Sequence, residues 1–232
     1  LIAIDEAHCI SEWGHNFRPS YRLIDKLREI KKDVPVLALT ATANQNVIND
    51  IQENLNFKEK NLIKSSFFRK NLSYVVVKGN EKEKTLLRLL NRIKSSVIVY
   101  VNSRKESNQI CSLLNKHSIS ASSYHAGIDI IKRKKTQEEW FNNSIRVIVA
   151  TNAFGLGINK TDVRLIIHMH IPMNIESYFQ ESGRAGRDGK TAYSFILYNK
   201  NDINENHKKI QERFPKIEQI KKCFHIKRFI FF

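Results

Sequence analysis

Cysteine is scarce: Cys9, Cys111 and Cys223 are the three in 232 residues. They are odd in number and far apart, with no Cys-x-x-Cys pair, so neither a disulfide framework nor a complete zinc site is visible. A reducing compartment fits best. No apolar run is long enough to cross a bilayer. No charged leader precedes the opening "LIAI", so no signal peptide is read. The first residue is not methionine, and an upstream part is expected to be missing. No Gly-x-x-x-x-Gly-Lys-Ser/Thr run occurs, and no internal repeat of short period is found. Acidic residues are outnumbered, 23 against 39 Lys and Arg, giving a formal net charge of +16 and a pI near 9.8. A domain this basic usually meets a polyanion, nucleic acid first. A composition rich in Lys, Asn and Ile explains the charge equally well, so motifs must decide.

The hydrophobic fraction is 41%, enough for a packed core. Short β-branched runs alternate with amphipathic stretches, the pattern of a parallel-sheet α/β protein. "LIAI" (1–4), "VPVLALT" (34–40) and "NLIKSSF" (61–67) read as strands. Val47, Ile48, Ile51 and Leu55 share one helical face, with Thr42 or Asn44 placed to cap it. A second series of strands follows: "LSYVVV", "SVIVYV", "ISASSYH", "RVIVAT", "RLIIHM" and "AYSFILY". Ser103 and Glu106 form a capping box ahead of a helix bearing Ile110, Leu113 and Leu114. Further helices are expected around 132–142 and from Asn174 to Gly183. The expected organisation is an incomplete α/β unit over 1–66, a fuller one over 67–200, and a basic tail over 201–232.

Ligands of open parallel sheets bind beyond the carboxyl ends of the strands. Asp5 and Glu6 stand at such an edge in "IDEAHCISEWGHNFRPSY". An acid there can hold Mg²⁺ through its water shell, and its neighbour can orient a water toward a γ-phosphate. A charged turn is the simpler reading of a bare acid pair. "FQESGRAGRDGK" (179–190) sets Arg184 and Arg187 three residues apart among glycines. A guanidinium fork fits phosphate oxygens, and glycine lets the backbone come close.

"DEAHCISEWGHNFRPSY", "LTATAN", "YVNSR", "SYHAG", "VATNAFGLGINK" and "IESYFQESGRAGRDG" stand in the order and rough spacing of the RecQ family of DNA helicases, which the chain resembles over residues 1–200. The resemblance implies RecA-like parallel-sheet lobes of a P-loop helicase of superfamily 2, with lobe 1 incomplete and lobe 2 essentially complete. It implies ATP and Mg²⁺ as cofactors, and single-stranded and partially duplex DNA as partners, with no membrane. By resemblance, Asp5 and Glu6 are the Mg²⁺-binding and water-activating pair, and His8 links the nucleotide site to the lobe. Arg184 and Arg187 reach the nucleotide from lobe 2, with Arg187 the expected finger, and Gln180 is a contact at the lobe interface. Thr40 and Thr42 belong to the segment that couples the lobes.

The stretch Cys9–Tyr21 resembles the family's aromatic-rich sensor of single-stranded DNA. Trp13 and Phe17 can stack on bases, at about 1–3 kcal/mol each. Arg18 can reach phosphate, and His15 can bond toward the nucleotide side. Packing of Trp13 and Phe17 against their own lobe is the competing reading. In lobe 2 the resemblance places the DNA strand at Ser103, Arg104, His125, Gly127 and Thr151, all at strand ends where phosphates can be met. Gly155 and Gly157 allow a tight turn beside them.

The chain departs from the family pattern in several places, Leu156 for the more usual Met being a conservative one. The phosphate-cradling loop is absent, and a fragment is the expected reason, so these residues alone are expected to lack ATPase. Zinc belongs to the family, but only Cys223 follows lobe 2, and no site is complete. Phe68 and Lys70 replace the more usual Asp and Pro of the connector. The expected function is 3′–5′ unwinding of duplex DNA in recombination, repair and replication, in a nucleus or a bacterial nucleoid. The alternatives are a non-catalytic nucleic-acid-binding module and a helicase acting on RNA.

Overall fold

The structure, a computed structural model, describes residues 1–12, 18–31, 33–155, 158–213, 217–218 and 220–221. The chain divides into two compact units, Leu1–Phe68 and Arg69–Phe232.

In the first unit, β1 (Ile2–Ile4) and β2 (Val36–Ala38) pair in parallel, Ile2 beside Val36 and Ile4 beside Ala38. Two 3₁₀ turns, Ala7–Ile10 and Pro19–Ile24, and helix α1 (Asp25–Ile30) lie between them in sequence. Helix α2 (Gln45–Asn54) starts where Asn44 Oδ1 accepts the Val47 N–H at 3.0 Å, so Asn44 rather than Thr42 is the cap. Its Val47 and Ile51, with Leu55, cluster with Ile4, Ala7 and Ile10. The turn after β1 therefore rests on apolar packing although it carries two carboxylates.

The strand expected over 61–67 does not form. The segment has no regular structure, and Ile63 is 98% exposed. Strand backbone needs a neighbour for its N–H and C=O groups, and among the described residues no edge pairs with this segment. Local apolar content cannot supply that neighbour.

The second unit contains β3 (Leu72–Lys78), α3 (Lys82–Arg92), β4 (Ser96–Tyr100), α4 (Arg104–Lys116), β5 (Ala121–Tyr124), α5 (Ile130–Phe141), β6 (Val147–Ala150), β7 (Val163–His168), α6 (Ile175–Ser182), β8 (Ala192–Tyr198) and α7 (Lys200–Arg213). The strands form one parallel sheet in the order β3-β8-β7-β4-β6-β5. Period-two alternation sorts the central side chains onto two faces. Val97, Val99, Val147, Val149, Leu165 and Ile167 meet Leu86, Leu90, Ile110 and Leu114 of α3 and α4. Ile98, Tyr100, Ile148 and Ile166 meet Trp140 of α5 and Phe154. Both faces are covered, which is why β4 and β6 read as unbroken apolar runs. This is the α/β architecture expected from the sequence.

The tail expected from 201 is, over its first part, helix α7. Asp202 in its first turn is buried and holds it down.

Trp140 is fully buried, edge-on to Phe141 and Phe154, with Lys160 Nζ 5.6 Å from its ring centroid. Trp140→Ala should destabilise the protein by about 3–5 kcal/mol. Urea denaturation checks this, with Trp140→Phe expected to retain most of the stability.

Candidate functional site

The acid pair stands directly after β1. Glu6 is held in the left-handed region at φ 50° and ψ 40°, a conformation that costs a non-glycine residue free energy and persists where the surroundings impose it. Asp5 Oδ1 accepts the Glu6 N–H at 2.8 Å, and the Asp5 side remains exposed. His8 is 1% exposed. Its Nδ1 lies 3.2 Å from Glu6 Oε2 and 3.0 Å from Thr40 Oγ1. Thr40 Oγ1 also accepts the Thr42 N–H and donates to Thr42 O, both at 3.2 Å. His8 Nδ1 is hydrogen-bonded with the Thr40 hydroxyl, and Glu6 Oε2 stands beside it with no hydrogen bond of its own among the described residues. The structure thus brings Glu6, His8, Thr40 and Thr42 together, because parallel pairing sets the end of β2 beside the end of β1. Leu39 N–H donates to Ile4 O at 2.8 Å and Ala7 N–H to Leu39 O at 2.9 Å.

The sensor stretch is anchored on this turn. Arg18 N–H donates to Cys9 O at 2.9 Å, and Ser11 Oγ donates to Asp50 Oδ2 at 2.6 Å. Trp13, His15 and Phe17 lie outside the described residues, as does Gly157. Arg18 is exposed, its guanidinium 5.9 Å from the Tyr21 ring centroid.

In the second unit, Asn174 caps α6 through Ser177 N–H at 2.7 Å, and the helix ends at Ser182. The turn that follows carries both arginines. Arg184 Nη1 donates to Gly155 O at 2.5 Å, and a Cβ on Gly155 would come within 2.9 Å of Arg184 Nη2. Arg187 Nη1 donates to Ile158 O at 2.8 Å and Asn159 Oδ1 at 3.0 Å. Partial burial, then the like charges of Arg184 and Arg69, shift the Arg187 guanidinium down from its usual value. Gln180, on the last turn of α6, is half-buried.

The residues expected to grip DNA gather at the carboxyl edge of this sheet. Ser103 Oγ accepts the Glu106 N–H at 3.1 Å, and Glu106 returns to the Asn102 N–H at 3.1 Å, one residue before the partner a capping box uses. Arg104 is exposed and lies across Gly127, where a Cβ would meet its Nη1 at 2.9 Å. His125 is buried, with neither ring nitrogen partnered among the described residues. Burial, then the Arg104 charge, hold it below its ordinary pKa. Arg104 is thus the exposed charged side chain among the residues expected to grip DNA. Thr151 lines a cavity of 290 Å³ with Tyr100, Asn102, Asn152, His168 and Glu181. Among the described residues no cluster of three potential metal ligands occurs, and Cys223 lies outside them.

The helicase conserved C-terminal domain family matches residues 81–189. The chain is similar to ATP-dependent DNA helicase RecQ of Bacillus subtilis, 40% identical over 99% of this chain and 42% of that protein. The RecQ-like DNA helicase blm-1 of Caenorhabditis elegans is 42% identical, covering 91% of this chain and 22% of its own length. The chain belongs to the RecQ family of superfamily 2 helicases. R290 of Acanthamoeba polyphaga mimivirus, named as an ATP-dependent RNA helicase, is 44% identical over 96% of this chain and 42% of that protein. The chain therefore spans less than half the length of these relatives. Among solved structures, Saccharomyces cerevisiae Dbp5 bound to RNA and ADP BeF3 superposes with TM-score 0.67 at 18% identity, over 93% of this chain and 57% of that one. A DEAD box protein from Methanococcus jannaschii gives TM-score 0.56 at 24% identity, over 91% and 56%. These two show likeness of fold.

This RecQ chain also holds a polar cluster that no motif announces. His170 Nε2 lies 2.5 Å from Glu106 Oε1 and its Nδ1 2.8 Å from Asp202 Oδ1. Lys82 Nζ bonds both Asp202 oxygens, at 2.8 and 2.9 Å, and Met169 O at 2.6 Å. The cluster joins α3, α4, the end of β7 and α7. Its members are too far apart in sequence for spacing to reveal them. Burial pulls the His170 pKa down, but the bonds and charges of Glu106 and Asp202 outweigh it and leave it raised. Burial likewise opposes ionisation of Glu106 and of Asp202, and is outweighed at Glu106 chiefly by His170 and at Asp202 chiefly by Lys82.

A raised histidine pKa stabilises fully below its ordinary 6.5 and loses that contribution as pH rises through the folded value. The lowered carboxylates stabilise above their ordinary 4.5 and 3.8, and lose it as pH falls. Stability measured by urea denaturation against pH should therefore decline on both sides of a plateau between about 4.5 and 6.5. His170→Gln should flatten the alkaline side and also weaken the acid side, because the Glu106 pKa is lowered chiefly by His170.

Proposed function

We propose that the protein containing this chain is an ATP-dependent DNA helicase that moves 3′ to 5′ along single-stranded DNA. The observation that carries the reading is the pairing of chemistries on the two units. One carries an exposed acid followed by a strained glutamate beside a buried histidine; the other carries two guanidiniums that have no ion pair among the described residues. A module that only binds nucleic acid needs neither.

In this reading Glu6 orients the attacking water, and His8, bonded to Thr40, stands beside the Glu6 carboxylate. Asp5 and Glu6 are oxygen donors of the kind Mg²⁺ prefers, and Asp5 would hold the ion through its water shell. Bound there, Mg²⁺ would neutralise phosphate charge. Arg187 and Arg184 supply positive charge to the transferring phosphoryl group, an effect worth about 10³–10⁵ in rate. Trp13, His15, Phe17 and Arg18 sense single-stranded DNA. Support for the coupling is the short path from Arg18 through the Cys9 carbonyl to Glu6, whose carbonyl accepts the Cys9 N–H at 2.9 Å. Ser103, Arg104, Gly127 and Thr151 line the track for the DNA backbone, with His125 packed beneath.

Each base-pair step costs about 1.4 kcal/mol to open, well within reach of one hydrolysis. The relative named as an RNA helicase favours RNA as a second reading. Comparing stimulation of hydrolysis by single-stranded DNA and RNA separates the two.

In the full-length protein, Arg187→Ala should lower kcat for ATP by about 10³-fold or more while nucleotide binding changes little. Trp13→Ala should leave basal hydrolysis intact and remove its stimulation by DNA. Steady-state ATPase assays with and without single-stranded DNA check both. Unchanged stimulation in the tryptophan variant removes the sensor role.

A further inference from the structure

The second unit begins with a side-chain clamp that no motif predicted. Arg69 Nη1 donates to Gly183 O at 3.0 Å, and its Nη2 donates to Gly186 O. Asn71 Nδ2 donates to Gly186 O at 2.7 Å and to Lys190 O at 2.8 Å. The two side chains meet at 3.4 Å, Arg69 Nη2 to Asn71 Oδ1. The Ala192 N–H closes the frame on Asn71 O at 2.8 Å. The three carbonyls held are those at the end of α6, between the two arginines, and at the far end of the turn. Arg184 and Arg187 thus ride on a backbone pinned before, between and after them.

Gly186 shows how close the clamp sits. Its φ is +60°, and a Cβ there would come within 2.6 Å of Asn71 Nδ2 and 2.8 Å of Lys190 O. Glycine is required twice, for conformation and for space.

Asn71 is a neutral donor to the turn. Arg69 instead adds a cation, and its charge is felt at Arg187. A cation is favourable beside the carbonyls ending a helix, and the planar fork lets one side chain hold two of them.

We propose that Arg69 and Asn71 are positioning residues for hydrolysis: they fix the turn so that Arg184 and Arg187 present their guanidiniums in one orientation. They act through those arginines and do not touch the nucleotide. The proposal rests on the helicase reading above. A misplacement of about 1 Å at a catalytic group can cost about 10²-fold in rate, which sets the scale expected.

The test uses the full-length protein and ATP, with variants Asn71→Asp, Arg69→Lys and Arg187→Ala, and the double variant Asn71→Asp/Arg187→Ala. Asn71→Asp keeps the size but sets a carboxylate against two carbonyls. It should lower kcat by about 10–100-fold with KM for ATP within about twofold. Arg69→Lys keeps charge but cannot fork, and should recover only part of the rate. The double variant should lose much less beyond Arg187→Ala than Asn71→Asp loses in the native protein, because the clamp works through that arginine and Arg184 alone remains for it to fix.

Full activity in Asn71→Asp, full rescue by Arg69→Lys, or losses that multiply in the double variant would each overturn the proposal. So would a loss that merely follows the unfolded fraction in a melting curve run on the same samples. If Arg187→Ala itself hydrolyses ATP normally, the helicase reading fails first; if it does not while the clamp variants do, only the clamp role fails.

Discussion

Holding a guanidinium with carbonyl oxygens is different from holding it with a carboxylate. A carbonyl fixes the direction of the N–H groups but leaves the positive charge in place. A carboxylate fixes the direction and cancels the charge. In the turn after α6, Arg184 and Arg187 are held by Gly155 O, Ile158 O and Asn159 Oδ1, and among the described residues neither has an ion pair. The carboxylate of the same turn, Asp188, is engaged by Arg164. The arrangement keeps two oriented cations available for an anion. It is possible because glycine at 155 and 186 lets side chains approach the backbone without a Cβ in the way.

The first unit solves the opposite problem. Glu6 has no Lys or Arg ion pair among the described residues, and His8 Nδ1 lies 3.2 Å from its carboxylate. His8 is buried beside Thr40 by the packing of Ala7 and Ile10 on α2. Left-handed backbone at Glu6 costs of order 1–3 kcal/mol, a strain the apolar contacts on either side of it must offset. Thr40 touches both His8 and its own neighbour Thr42, so one hydroxyl joins the end of β2 to the histidine beside Glu6.

Much of this was legible in the residues. Unbroken apolar runs gave the buried strands, and Asn44, Ser103 and Asn174 stood where caps belong. The acid tetrapeptide and the paired arginines were visible as motifs. Their partners were not, because those are set by chain crossings: His8 meets Thr40 across 32 residues, and Lys82 meets Asp202 across 120. The strand expected over 61–67 failed because strand formation depends on a neighbouring edge that local sequence does not report. Helix α7 was read as tail because a buried aspartate, not an apolar stripe, anchors it. Arg69 and Asn71 looked like connector, since nothing in "FFRKNL" says which carbonyls they will find.

The uncancelled charge on the arginine turn is tested most directly by comparing two nucleotide complexes of the full-length protein. Affinity for ADP with aluminium fluoride, which mimics the transferring phosphoryl group, is measured beside affinity for a non-hydrolysable ATP analogue, in the native protein and in Arg187→Ala. Arg187→Ala should lose most of its preference for the aluminium fluoride complex and keep its affinity for the ATP analogue. An unchanged preference would mean that the guanidinium held over Ile158 and Asn159 does not serve the phosphoryl group.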